Sequence, residues 1–172
     1  MIVAQTERLT LRRLTGQDAE FMLEVLNDPS FLRFIGDRGV RTAEQARDYI
    51  LKGPVESYER LGYGMYLAEL KDRHVPIGLC GLVKRDYLPQ PDIGFAFLPA
   101  FRSKGYAFEA ANALIKHARE EVGLSQVLAI TSQDNVASIS MLRKLGFGFE
   151  RLIHAPGEEA LINLFFVGLG QR

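Results

Sequence analysis

Residues 102–107 read Arg102-Ser103-Lys104-Gly105-Tyr106-Ala107, two cations around a glycine at the start of a helical pattern. Residue types in this order bind anions. The first N–H groups of a helix lack internal acceptors, and the aligned peptide dipoles leave that end positive. Gly105 has no Cβ, so a ligand can approach the backbone closely. Arg102 and Lys104 add charge beside it. The chemistry implied is a phosphate or pyrophosphate cradle. The competing reading is an ordinary strand-to-helix bend with a glycine at the corner. The loop is neither G-x-x-x-x-G-K-[ST] nor G-x-G-x-x-G, which disfavours those two nucleotide-binding classes.

A cradle needs a strand before it and a helix after it. Residues 92–98 are the strand, with the apolar run Ile93, Phe95, Ala96, Phe97 and Leu98. Pro99 ends its ladder because proline has no N–H to donate. Phe108, Ala111, Leu114, Ile115 and Ala118 recur at helical spacing, predicting a helix to Val122 with Gly123 as its cap.

The remaining elements read in order. Residues 8–14 alternate as a strand. Thr15 to Asp18 resembles a capping box, opening a helix with the face Ala19, Met22, Leu23 and Leu26. Residues 31–35 form a short apolar segment that reads as core. Thr42 caps a second helix with Ala46, Tyr49 and Ile50 on one face. Gly53-Pro54 is expected to break or kink it, with residues 55–61 supplying another turn or two. From Gly62 the period becomes two, giving a hairpin around residues 71–74. Residues 126–132 are a strand, Asn135 opens a helix ended by Gly146, and two final strands cover residues 147–153 and 161–167. The order β, α, α, β, β, β, α, β, α, β, β predicts an α/β (α+β) protein, a mixed sheet with helices on its faces.

The 172 residues fit a single domain over 1–172. Lys plus Arg and Asp plus Glu balance at 21 each, which argues against a protein that grips nucleic acid by bulk charge. The one cysteine, Cys80, excludes an internal disulfide and reads as a core residue, compatible with a reducing cytoplasm. No stretch reaches the roughly 18 apolar residues of a membrane span, and residues 1–14 lack a signal-peptide core. A cytoplasmic location and no membrane partner are therefore expected. His74, His117 and His154 show no metal-ligand spacing, so no metal is expected.

With the loop in its middle, this order resembles the GNAT superfamily of acetyl-CoA-dependent N-acetyltransferases, whose loop is Q/R-x-x-G-x-G/A. Residues 102–107 match it in full. The stretches TERLTLRRLTGQDAEFMLEVLNDP, DIGFAFLPAFRSKGYAFEA and NVASISMLRKLGF resemble the branch of the ribosomal-protein alanine N-acetyltransferases (RimJ/RimL-like). The resemblance covers nearly the whole chain. It implies a mixed, mostly antiparallel central sheet of about seven strands flanked by about four helices.

It also implies a site. Backbone N–H groups of Arg102, Ser103, Lys104, Gly105, Tyr106 and Ala107 would hold the pyrophosphate of acetyl-CoA, with coenzyme A as product. Phe95, Ala96 and Phe97 would lie beside the pantetheine arm, on a strand that splays from its neighbour. A backbone N–H there would polarise the thioester carbonyl. Asn135 and Ser138 match the family's Asn-x-x-Ser, and Arg143 and Lys144 point to the nucleotide end. One departure stands out. Many members carry a tyrosine as general acid where this chain has Leu142. Ser138 is the nearest substitute by motif, its other reading being a helix-start serine bonded only to backbone.

The reaction that the resemblance implies is attack of a neutral amine on a thioester. A lysine amine has a pKa of about 10.4 and an α-amine about 7.7–8.0, so an N-terminal acceptor needs less help from a base. Asp92 is the first candidate base, because the branch often has a glutamate there; Glu69 is the second. A water relay or a structural carboxylate is the alternative for Asp92. Glu109 reads as a complement to the helix dipole. Phe31, Phe34, Tyr87 and His154 are candidates for the acceptor pocket. The acceptor implied is a peptide N-terminus or a small amine, and a monomer or homodimer is expected. The alternative is a non-catalytic acyl-CoA-binding module.

Overall fold

The computed structural model describes residues 1–170. Eight strands form one open sheet: β1 (Ile2–Gln5), β2 (Leu9–Arg13), β3 (Met65–Leu70), β4 (Val75–Val83), β5 (Asp92–Phe97), β6 (Gln126–Ser132), β7 (Gly148–His154) and β8 (Leu161–Gly168). Their order is β1-β2-β3-β4-β5-β6-β8-β7. Every neighbouring pair is antiparallel except β5–β6, which is parallel. Six helices accompany it: α1 (Ala19–Leu26), α2 (Pro29–Phe34), α3 (Ala43–Ile50), α4 (Glu56–Leu61), α5 (Tyr106–His117) and α6 (Val136–Lys144).

The sheet separates two cores. On one face, Leu9, Leu11, Tyr66, Ala68, Leu82, Ile93 and Phe97 pack under α5 and α6 through Ala111, Leu114 and Leu142. On the other, Leu67, Leu79 and Leu98 meet Met22, Val25, Leu26, Ala46 and Ile50 from α1 and α3. Alternation along the strands sends successive side chains to opposite cores. Cys80 lies in the first core, fully buried, and burial pushes its thiol up to about 12.

Three elements differ in detail from the expected order. The sheet has eight strands because residues 2–5 pair with β2 as an edge, Ile2 opposite Arg12 and Gln5 opposite Thr10. That strand is short and exposed at both ends, so it carries no burial pattern. Residues 29–34 are a helix: Asp28 caps it and Pro29 starts it. Gly53-Pro54 disrupts the second helix without ending it, and residues Glu56–Leu61 supply the further turns expected. Residues Leu51–Val55 widen into a π turn that takes up the proline, and the chain continues as α4 to Gly62, whose φ of 79° closes it.

Gly81 shows how tightly β3 and β4 fit. A Cβ there would lie 2.4 Å from both the Gly64 carbonyl oxygen and the Met65 Cα. Backbone atoms on the paired strand cannot swing away. Gly81→Ala should therefore cost about 2 kcal/mol, read as an earlier urea unfolding midpoint with an unchanged slope.

Candidate active site

The site is a wedge in the sheet. β5 and β6 pair only at Asp92 opposite Leu128, where Leu128 N–H donates to the Pro91 carbonyl (3.0 Å). Beyond that apex the strands part. β5 stays bonded to β4, with Leu98 N–H on Ile77 O at 2.9 Å. The alternation fixed by these two bonds turns the backbone groups of Phe95 and Phe97 toward the gap. Phe97 O is taken by Arg102 Nε (2.9 Å). The Phe95 N–H and C=O and the Phe97 N–H face the opening. Phe95 and Phe97 direct their rings to the α5 core, while Ala96 lies on the α1–α3 face.

At the wide end of the wedge, the chain turns through Pro99–Phe101 and Ser103 (φ 60°) into Gly105, which precedes α5 with φ 84°. Among the described residues, no carbonyl or side chain accepts from the backbone N–H groups of residues 103–108. Ser103, Lys104 and Gly105 are exposed. Six unsatisfied donors on an exposed helix start fit a multiply charged oxyanion ligand. The row begins one residue later than the sequence places it, because Arg102 N–H closes onto Pro99 O (3.3 Å).

The Arg102 side chain also differs from expectation. Its three nitrogens donate to Phe97 O, to Ser30 Oγ (3.2 Å) and to the Asp28 carboxylate (2.5 Å). Lys104 remains an exposed cation in the loop, and Arg8, from the β1–β2 turn, joins it there. Arg8 donates to Lys104 O (3.0 Å), packs 4.3 Å from the centre of the Tyr106 ring and pairs with Glu109 at 2.7 Å. Its sequence position, far from the loop, carries no signal of this role.

Glu109 thus has specific partners. Burial works to raise its pKa, but Thr6 Oγ1 (2.5 Å) and the backbone and side-chain N–H of Arg8 bring it below the ordinary value. A depressed acid stabilises the fold above its unfolded pKa and loses that contribution as pH falls through the folded value. Glu109→Gln should lower the melting midpoint by a few degrees at pH 7. The gap should close on acidification below about pH 4.

Across the wedge, Asn135 caps α6 through a bond from Ser138 N–H to its side chain (3.3 Å). The Ser138 hydroxyl has no partner among the described residues, and Leu142 is fully buried in the core. Arg143 and Lys144 occupy the last turn of α6. Asp92 lies at the apex, 1% exposed, bonded to Arg85 Nε at 2.9 Å; burial raises its pKa against the pull of that guanidinium. Glu69 stands apart on β3, with β4 between it and β5, held by Arg12 (3.1 Å) and His74 (3.3 Å). Tyr87 packs on a small third cluster of Leu88, Leu128 and Leu164. His154 ends β7, Phe31 is buried with α1 and α3, and Phe34 lies 4.7 Å under the Arg33 guanidinium.

A wedge opened between parallel strands, with a bare helix start at its wide end, is the geometry that the sequence resemblance implies. Residues 8–148 match the sequence model of the acetyltransferase (GNAT) domain. The chain belongs to the GNAT acetyltransferase family.

Relatives of this GNAT protein agree. It is 28% identical over 157 residues to YnaD, an uncharacterised N-acetyltransferase of Bacillus subtilis, covering 90% of this chain and 89% of that one. A GNAT-family acetyltransferase structure from Bacillus anthracis superposes with a TM-score of 0.80 at 25% identity, covering 98% and 99% of the two chains. RimL, a ribosomal L7/L12 α-N-protein acetyltransferase solved with coenzyme A, shares the fold at 17% identity and a TM-score of 0.78, covering 98% of each chain. Acetyl transfer to an amine is the activity of this family, and the non-catalytic acyl-CoA-binding reading is not favoured. No helix among the described residues is long and apolar enough to cross a membrane.

Proposed function

We propose that this GNAT protein transfers the acetyl group of acetyl-CoA to a primary amine by direct attack in a ternary complex, the acceptor being a protein N-terminal α-amine or a small amine. The observation that carries the reading is the row of unpaired N–H groups over residues 103–108, set where the β5–β6 wedge opens. Bound acetyl-CoA supplies the activated acyl thioester. Ser103, Lys104, Gly105, Tyr106 and Ala107 would hold its pyrophosphate through their backbone. Phe95 and Phe97 would line the gap for its pantetheine through their backbone, with Ala96 between them on the α1–α3 face and Asn135 and Ser138 on the opposite wall.

The chain's own groups then divide the work. The Phe95 and Phe97 N–H groups face the gap and can polarise a carbonyl placed there, a fixed dipole that needs no reorganisation. Ser138 offers a free hydroxyl to the departing thiolate, which at a pKa of about 8.5 leaves with little assistance. Asp92 is closed off from solvent and held by Arg85, which supports a strut at the wedge apex over a proton carrier. An α-amine acceptor, with a pKa of about 7.7–8.0, needs little from a base and suits that arrangement. The sequence likeness to the RimJ/RimL-like branch and the fold shared with RimL support a protein N-terminus as acceptor. The cytoplasm is the location consistent with this substrate.

The test is thiol release from acetyl-CoA against a panel of short peptides with free N-termini, polyamines and aminoglycosides, with product masses. A mass gain of one acetyl on any amine, with matching thiol, supports the reading. Cofactor binding without turnover on any acceptor would return the chain to a binding module.

A further inference from the structure

Helix α2 is tied to both sides of the wedge. At its start, Asp28 Oδ2 accepts from Ser30 N–H (3.2 Å) and Phe31 N–H (3.3 Å) and from Arg102 Nη2 (2.5 Å). Arg102 also holds Ser30 Oγ and Phe97 O, the last residue of β5. At its end, Arg33 meets Asp134, in the turn between β6 and α6, at 3.4 Å. A bar fixed beside β5 at one end and beside β6 at the other crosses the open end of the wedge. It crosses on the α1–α3 face. Helices α5 and α6 pack on the opposite face, which leaves the α2 side as the open approach for an amine.

The two ties differ in strength. Arg33 and Asp134 are both more than 60% exposed, and such pairs are worth little. Asp28 is 7% exposed and engages Arg102 in a charge-assisted bond within a three-point clasp. The bar is therefore pinned at Asp28 and loosely held at Arg33.

We propose that Arg102 is a positioning residue and not a phosphate ligand: it couples the cofactor loop to α2, so that coenzyme A seated on residues 103–108 fixes the wall against which the acceptor amine binds. The proposal rests on the cofactor reading above. Its mechanical content is that Phe97, the loop and α2 move as one body, because one guanidinium holds all three.

Asp28→Asn separates the roles. Asparagine caps a helix as well as aspartate, so α2 keeps its start while the Arg102 clasp loses its charge. Hydrogen exchange of residues 30–36 is followed with and without saturating coenzyme A, alongside calorimetric titration of the same proteins. In wild type, coenzyme A should slow exchange there by about tenfold. In Asp28→Asn and Arg102→Lys that slowing should vanish, while coenzyme A affinity stays within about threefold. Cofactor-induced protection that survives Asp28→Asn overturns the coupling. So does a loss of coenzyme A affinity beyond about tenfold in Arg102→Lys with Asp28→Asn unchanged, since the guanidinium would then be a phosphate ligand. Wild type that binds no coenzyme A overturns the cofactor reading together with this one. The titration of wild type tells that failure from the others.

Discussion

Gly105→Glu abolishes measurable coenzyme A binding, with an expected loss of at least about 100-fold in affinity, close to 3 kcal/mol. Two effects add. Gly105 has φ 84°, a left-handed conformation that costs a residue with a Cβ about 1–2 kcal/mol. The added carboxylate also sits among the six free N–H groups, where it competes for them and repels phosphate. The Cβ itself would meet only Arg8 Nη2, at 3.3 Å, so the fold survives. Gly105→Ala separates the contributions, since it carries the backbone strain without the charge and should weaken binding several-fold. Calorimetry on the three proteins, with circular dichroism to confirm folding, checks the result. Equal affinity in wild type and Gly105→Glu would remove the cradle from residues 103–108.

The largest stability effect is expected at Asp92. Removing one member of a buried ion pair leaves the other charged and unmatched, which costs about 3–5 kcal/mol. Arg85 keeps 29% of its side chain exposed, so the lower end applies, about 3 kcal/mol for Asp92→Ala. For a chain of this length that is a fall of roughly 6–12 °C in melting midpoint. Asp92→Asn keeps a hydrogen-bond acceptor for Arg85 and should lose less. The same variant separates strut from base. If Asp92 holds the apex, Asp92→Asn keeps the shape of the pH profile of turnover on an active amine. If it carries protons, turnover falls by about 10²–10⁴ and the profile loses a limb.

Much of this arrangement was legible because it is local. The strand, glycine loop and helix over residues 92–123 follow one another in the chain, and each carries its own signal: an apolar run, a proline stop, a glycine bend, a period near four. Asn135 and Gly146 likewise mark the ends of α6 from residues beside them. The parts that were not legible are non-local or lack a pattern. β1 has no buried face to read. The π turn at Pro54 depends on how a helix absorbs a missing donor, which spacing does not reveal. Arg8 and Asp28 reach the loop from 96 and 74 residues away, and their neighbours in sequence give no hint of it. Arg102 shows the limit most plainly. Its identity reads as charge for a phosphate, yet its partners are a carboxylate, a hydroxyl and a strand carbonyl.

The proposed function has coenzyme A held by its pyrophosphate at residues 103–108 and by its pantetheine in the β5–β6 wedge. The most direct measurement is a calorimetric titration of wild type with coenzyme A and, in parallel, with pantetheine, which lacks the phosphates. Saturable one-to-one binding of coenzyme A, with pantetheine weaker by about 100-fold, is the predicted result. Equal affinity for the two would place the binding energy outside the loop. No binding of coenzyme A would remove the cofactor from this site.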